Sequence, residues 1–306
     1  MDELELIARV TARFSRPDDG LGIGDDAAVI PPSTARALSV DASIEGVHFE
    51  RTFGPLEAIA ARAFEAAASD LAAMGARFES ALLSFEIPST ITGAEFDAIL
   101  EGFARAAERA GGHVVGGNIA KGLRLAFHTT VIGRLDRPAW TRSSARPGDA
   151  LFVSGPTGAA AAGLTLLLRG EARRAPALVD AFLGPRARFD VAAAVADRAR
   201  AAIDLSDGLL LDLGRLADAS RVAAVIELDA LPAHPAEASV GDVLDLPLLR
   251  LTGGESYELL VAGPRELEGT AGLVRVGWIE EGVGVRVIDA RGEAIPLPEV
   301  RGHVHR

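Results

Sequence analysis

Helix-like and strand-like stretches follow one another along this chain without a strict β-α-β rhythm, and that irregularity excludes a doubly wound parallel sheet. Apolar spacing predicts helices over residues 4–14, 55–76, 93–110, 189–202 and 208–219. Strand-like runs fall at 27–30, 37–41, 80–87, 113–115, 124–133, 150–154, 222–228 and 257–262, and residues 274–279 and 285–289 read as a closing β pair. Gly116-Gly117 reads as a turn ending the run at 113–115. The fold class expected is α+β. A polar stretch at 137–149, punctuated by Pro138, Pro147 and Gly148, divides the pattern. With 306 residues this predicts two domains, 1–137 and 138–306.

Composition narrows the partners. No run of about 18 apolar residues exists, so no membrane span is expected. The chain opens Met-Asp-Glu-Leu-Glu with no basic segment ahead of an apolar core, and it has no cysteine; a cytoplasmic location is expected. The net charge of −12 and the lack of a basic patch argue against nucleic acid. The only lysine, Lys121, sits in Ala-Lys-Gly. A phosphate-binding loop of the Gly-Lys-Ser/Thr type is therefore ruled out.

What remains is a set of aspartates in glycine-rich or apolar settings. Asp25 and Asp26 lie in Gly-Ile-Gly-Asp-Asp, and Asp41 ends a strand-like run. Asp70 interrupts an apolar helix, and Asp204 and Asp207 flank Ser206 in Ile-Asp-Leu-Ser-Asp-Gly. A carboxylate in apolar surroundings is costly unless it is paired or binds metal. Oxygen donors without Cys or His pairs point to a hard cation, Mg²⁺ before zinc, and Mg²⁺ so held usually also binds a substrate phosphate. Taken singly, Asp207 reads equally as the cap of the helix at Gly208, and Asp25 as a turn residue.

Six segments, in order, resemble those of the thiamine-monophosphate kinases, within the larger group of ATP-binding proteins related to aminoimidazole ribonucleotide synthetase. They are Gly-Ile-Gly-Asp-Asp-Ala at 22–27, Ser-Val-Asp-Ala-Ser-Ile-Glu-Gly-Val-His-Phe at 39–49 and Ser-Asp-Leu-Ala-Ala-Met-Gly-Ala at 69–76. Trp-Thr-Arg-Ser-Ser-Ala-Arg-Pro-Gly-Asp at 140–149, Ile-Asp-Leu-Ser-Asp-Gly-Leu at 203–209 and Gly-Gly-Glu-Ser-Tyr-Glu-Leu at 253–259 complete the set. The resemblance implies ATP-dependent phosphorylation of thiamine monophosphate to thiamine diphosphate. It implies a homodimer whose N-terminal domains pair through strands, with the active site in the cleft between domains.

By motif position, the resemblance assigns Mg²⁺ to Asp26, Ser39, Val40, Asp41, Asp70, Asp204 and Asp207. Asp70 and Asp207 carry the catalytic role. Arg142, Ser206, Gly117 and Asn118 meet ATP, and His48, Glu255 and His303 meet the substrate. Outside the resemblance, Arg142 reads as an exposed linker arginine, Ser206 as a helix cap, His48 as a half-buried histidine and Glu255 as a locally paired acid.

The chain departs from the family pattern at several positions. Asn118 stands where an Asp is usual, Val40 replaces a hydroxyl, Ala67 an Asn and Ser256 an Asp. The tail offers His303 or His305 where an aromatic residue is usual. An active kinase is the favoured expectation; a paralogue with another phosphate acceptor, or a nucleotide-binding protein with weakened catalysis, are the alternatives.

Overall fold

A computed structural model describes residues 9, 12, 13 and 35–303. The chain divides into two compact units. The first comprises residues up to Leu71 and Ala76–Arg137; the second comprises Ala72–Gly75 and the chain from Pro138. The expected strand at 27–30, Asp25, Asp26 and most of the expected helix at 4–14 lie outside the described residues.

The first unit contains β1 (Arg36–Ile44), α1 (Leu56–Ala73), β2 (Arg77–Ile87), α2 (Gly93–Arg109), β3 (His113–Lys121) and β4 (Ala126–Arg134). The strands form one sheet in the order β1-β4-β2-β3, with only β2 and β3 parallel. Alternation along β2 turns Leu83, Phe85 and Ile87 inward. Phe85 packs edge-on against Phe96 of α2, and Phe78 against Phe64 of α1, so both helices cover the same face of the sheet. Thr92 and Glu95 close a reciprocal capping box at the start of α2.

The strand expected at 113–115 runs on to Lys121, so Gly116-Gly117 is not a turn. The reason is contact across the ladder. A Cβ at position 117 would lie 1.8 Å from the Leu83 carbonyl oxygen, and only glycine lets β3 approach β2 there.

The second unit contains β5 (Ala150–Val153), α3 (Ala159–Leu168), α4 (Pro176–Leu183), α5 (Phe189–Val195), β6 (Ala201–Asp204), α6 (Leu209–Ser220) and β7 (Ala223–Glu227). It continues with α7 (Leu246–Thr252), β8 (Leu259–Gly263), β9 (Val274–Glu280), β10 (Gly284–Ile288) and β11 (Ala294–Ile295). Its seven strands run in the order β11-β10-β7-β9-β5-β8-β6. Both faces are buried. Leu151 and Val153 join one apolar cluster with Leu209, Leu213 and Leu216 of α6, and Phe152 joins another with Val191 and Val195 of α5. Burying each of those leucines contributes about 1.5–3 kcal/mol relative to exposure.

Two expectations fail here. The expected closing pair does not form, because β7 lies between β9 and β10 and is parallel to β10. The helix expected to reach 202 stops at Val195, because residues 201–204 are taken into the sheet as β6 beside β8.

Candidate active site

In the first unit, strand alternation sorts the candidate residues between the two faces of the sheet. Ser39 and Asp41 project to the helix-covered face of β1, while the side chain of Val40 projects to the other face and is 67% exposed. Asp70 stands on α1, where Ser69 beside it is fully buried. The Ser39 hydroxyl donates to Asp70 Oδ2 at 2.5 Å, and Asp41 Oδ1 accepts the Ala42 amide at 2.8 Å. Ser39 and Asp70 are therefore brought together, and Val40 offers nothing beyond its backbone carbonyl to that face. His48 is half-buried, and its Nδ1 accepts the Ile44 amide at 3.2 Å, which fixes the ring over the turn after β1.

Gly117 and Asn118 are exposed on β3, at the opposite edge of the same sheet. The register aligns Gly117, Leu83, Thr129 and Asp41 in one row, and Asn118, Ser84, His128 and Ala42 in the next. Three strand spacings of about 4.8 Å separate the ends of such a row, roughly 14 Å. Leu83 and Thr129 are buried on the helix side, so Asn118 shares the other face with Ser84 and His128. The structure does not bring Asn118 to Asp41 and Asp70 within this sheet.

In the second unit, two loops are laced together. Asp204 ends β6, the loop from there to α6 carries Ser206 and Asp207, and the loop from α7 to β8 carries Glu255. Glu255 N donates to Ser206 O at 2.8 Å, Tyr257 N to Leu205 O at 3.0 Å, and Leu205 N to Glu258 O at 2.8 Å. Gly254 sits so close that a Cβ there would lie 2.3 Å from the Ser206 carbonyl oxygen.

The second loop is strained. Glu255 and Tyr257 have φ of 68° and 53°, a left-handed region costing of order 1–3 kcal/mol for such residues. The Tyr257 hydroxyl donates to Glu255 Oε2 at 2.9 Å and helps aim that carboxylate. Asp204 is buried at the end of β6. The tail reaches the same loop, where His303 N donates to Asp207 O at 2.9 Å and the His303 side chain is exposed.

Arg142 is placed differently. It is exposed, and its carbonyl accepts the hydroxyl of Ser220 at 2.6 Å. That anchors its backbone at the C-terminal end of α6, about 17 Å along a 12-residue helix from the loop bearing Ser206.

Two further residues, which no motif marks, stand beside Asp207. Asp212 is fully buried and its carboxylate accepts the amides of Asp207 at 3.0 Å and Gly208 at 3.1 Å. Arg215 Nη1 lies 2.7 Å from Asp207 Oδ2 and 2.7 Å from Asp212 Oδ1. Burial pushes the Asp212 carboxyl up to about 6; the Asp207 amide opposes the rise and the Asp207 charge adds to it. The signal was available in Leu-Leu-Leu-Asp-Leu, an acid amid apolar residues as at Asp70.

Among the described residues no three acids or histidines are grouped to enclose a metal ion. Mg²⁺ does not need such a cage, since it is usually held by one or two carboxylates together with waters and substrate phosphates. The Ser39–Asp70 pair and the Asp204–Asp207 loop are all-oxygen donor sets of that kind, so the residues present fit the ion.

Residues 24–135 match the N-terminal domain, and residues 146–290 the C-terminal domain, of AIR synthase related proteins. That places the chain in a class defined by this pair of domains. A thiamine-monophosphate kinase of Aquifex aeolicus is 35% identical over 272 residues, covering 87% of this chain and 88% of the relative. The solved thiamine-monophosphate kinase of Stenotrophomonas maltophilia K279a is 33% identical with a TM-score of 0.83, covering 96% of this chain and 98% of the other. A solved complex of AaThiL with AMPPCP and TMP is 30% identical with a TM-score of 0.81, covering 99% of each chain. The chain belongs to the thiamine-monophosphate kinase family.

Proposed function

We propose that this protein transfers the terminal phosphoryl group of ATP to the phosphate of thiamine monophosphate, forming thiamine diphosphate. The observation that carries this reading is the likeness over 99% of each chain to a relative solved with AMPPCP, an ATP analogue, and TMP. The residue inventory agrees with it. Phosphoryl transfer demands alignment and charge neutralisation more than covalent chemistry by the protein. The acceptor is itself an anionic phosphate and needs no strong base. The candidate site accordingly offers several carboxylates, and neither a cysteine nor a lysine nucleophile.

In this reading, Asp26, Ser39, Asp41, Asp70, Asp204 and Asp207, with the Val40 carbonyl, hold Mg²⁺. When bound, Mg²⁺ supplies positive charge that screens the phosphates of donor and acceptor from each other. Ser206, Arg142, Gly117 and Asn118 meet ATP, and His48, Glu255 and His303 meet thiamine monophosphate. The hydrogen bond donated by the Tyr257 hydroxyl, and the one the Glu255 amide donates to the Ser206 carbonyl, hold Glu255 ready to accept a donor from substrate. The test is a coupled assay of ADP release with and without thiamine monophosphate. Release that depends on thiamine monophosphate supports the reading; ATP binding with no such release overturns it.

The functional unit in this reading is a homodimer. Among the described residues β1 is a sheet edge, and its Leu38 and Val40 are each 67% exposed on the face that no described helix covers. A sheet edge beside exposed apolar residues invites a second copy. Sedimentation at micromolar concentration is expected to give a dimer, and a fully active monomer would refute this. No helix among the described residues is long and apolar enough to cross a membrane, and the protein's place in this reading is the cytoplasm.

A further inference from the structure

The Asp212 carboxylate serves the loop bearing Asp207 with one oxygen and Arg215 of its own helix with the other. It is fully buried in the first turn of α6, among leucines. A charge there requires partners, and the structure provides three: the amides of Asp207 and Gly208 on Oδ2, and the Arg215 guanidinium on Oδ1. Gly208, at the head of α6, has no side chain to cap the helix and holds a φ of 123°. Asp212 takes over that duty from inside the helix.

The same Arg215 nitrogen also meets the Asp207 carboxylate at 2.7 Å. Asp212 thus acts on Asp207 twice. It holds the backbone through the amide, and it shares the cation that would otherwise belong to Asp207 alone.

We propose that Asp212 is a positioning residue that sets the place of the Asp207 carboxylate and draws the charge of Arg215 away from it, so that Asp207 is left able to hold a divalent cation. The proposal rests on the reading of Asp207 as a metal-binding acid. Without the Asp212 charge, Arg215 pairs with Asp207 only and competes with an incoming cation. The loop amides also lose their strongest acceptor.

The test measures cation binding directly. Mn²⁺ is titrated into the full chain with a saturating non-hydrolysable ATP analogue, and free Mn²⁺ is followed by its paramagnetic resonance signal. Asp212→Asn is expected to raise the half-saturating Mn²⁺ about ten- to hundred-fold, the usual cost of losing a group that orients a metal ligand. In turnover assays the same variant is expected to need more Mg²⁺ while reaching a kcat near the wild type at saturation, a split that general loosening of the fold does not produce. Wild-type Mn²⁺ binding by Asp212→Asn, with binding weakened in Asp207→Asn, overturns the proposal and leaves the metal site standing. Wild-type binding by Asp207→Asn as well overturns both.

Should Asp212→Asn fail to fold, Arg215→Met decides, since that side chain is 42% exposed and its loss opens no core. Tighter Mn²⁺ binding in Arg215→Met supports the proposal, and unchanged or weaker binding overturns it.

Discussion

Gly254→Ala tests whether the two loops of the second unit must be locked for catalysis. The added Cβ would stand 2.3 Å from the Ser206 carbonyl oxygen and 3.1 Å from the Asp207 carbonyl carbon. Ordinary contact begins at 3.4 Å, so the loops must part by about 1 Å. Gly254 is not in the left-handed region, so alanine meets no backbone penalty and the effect comes from contact alone. Little slack exists to absorb it. Glu255 and Tyr257 already hold left-handed conformations on one side, and the Glu255 amide is bonded to the same Ser206 carbonyl at 2.8 Å. Overpacking of this kind costs about 1–3 kcal/mol of stability. A 1 Å misplacement of groups around the transferred phosphoryl costs about 100-fold in rate. The expected result is a kcat/KM for thiamine monophosphate lowered by about two orders of magnitude, in a protein that still melts cooperatively a few degrees below the wild type. Steady-state kinetics and a thermal melt measure both. Wild-type kinetics with an unchanged melting temperature would show that the loops are free to separate, and the locking argument would fall.

Other substitutions probe separate parts of the molecule. Asp70→Asn removes the charge that faces Ser39, and is expected to cut turnover in Mg²⁺ by at least about 100-fold with the melting temperature little changed; retained activity would remove Asp70 from the site. Asn118→Asp restores a carboxylate on β3, and a Mg²⁺ titration at saturating ATP is expected to show half-maximal turnover at lower Mg²⁺ than in the wild type. Coincident curves would mean that position 118 holds no metal. Gly214→Ala places a methyl where no described residue lies within 4 Å in the interior of α6, and is expected to stabilise the protein by about 0.5–1 kcal/mol without altering kinetics. A lower melting temperature would show that the helix surface there is not open.

Much of the fold was legible because burial imposes local periods. The unbroken apolar run at β5 announces a strand buried on both sides, and the structure divides it accordingly, Leu151 and Val153 to one face and Phe152 to the other. Strand order has no such local signature. β9 and β10 are separated only by Glu281-Gly282-Val283, a spacing that suggests a hairpin, yet β7 from more than 45 residues earlier pairs with both. The alanines after Val195 carry no helix-stopping signal either. What ends α5 is the demand of β8 for a partner at Ala201–Asp204. Gly116-Gly117 illustrates the opposite error, for glycine marks a close approach as readily as a turn, and only the Leu83 carbonyl across the ladder distinguishes the two.

The candidate site divides along the same line. Asp70 and Asp204 stand out in one dimension because each interrupts an apolar run, a cost that must be met somewhere. Asp212 obeys the same rule but is disguised, because its spacing from Arg215 and Asp218 reads as the polar stripe of an ordinary amphipathic helix. Its burial exposes the difference: an acid that met only water on that stripe would be exposed, whereas this one is enclosed and spends its oxygens on Asp207, Gly208 and Arg215. Asn118 shows why motif position alone is a weaker guide than register. Its neighbour Gly117 lies in one row with Asp41, but a strand reverses face at each residue, so the Asn118 side chain joins Ser84 and His128 on the face where Val40 is exposed. A charge restored at 118 therefore acts from the face of the sheet opposite to Asp70, and the Mg²⁺ titration of Asn118→Asp reads the reach of that face.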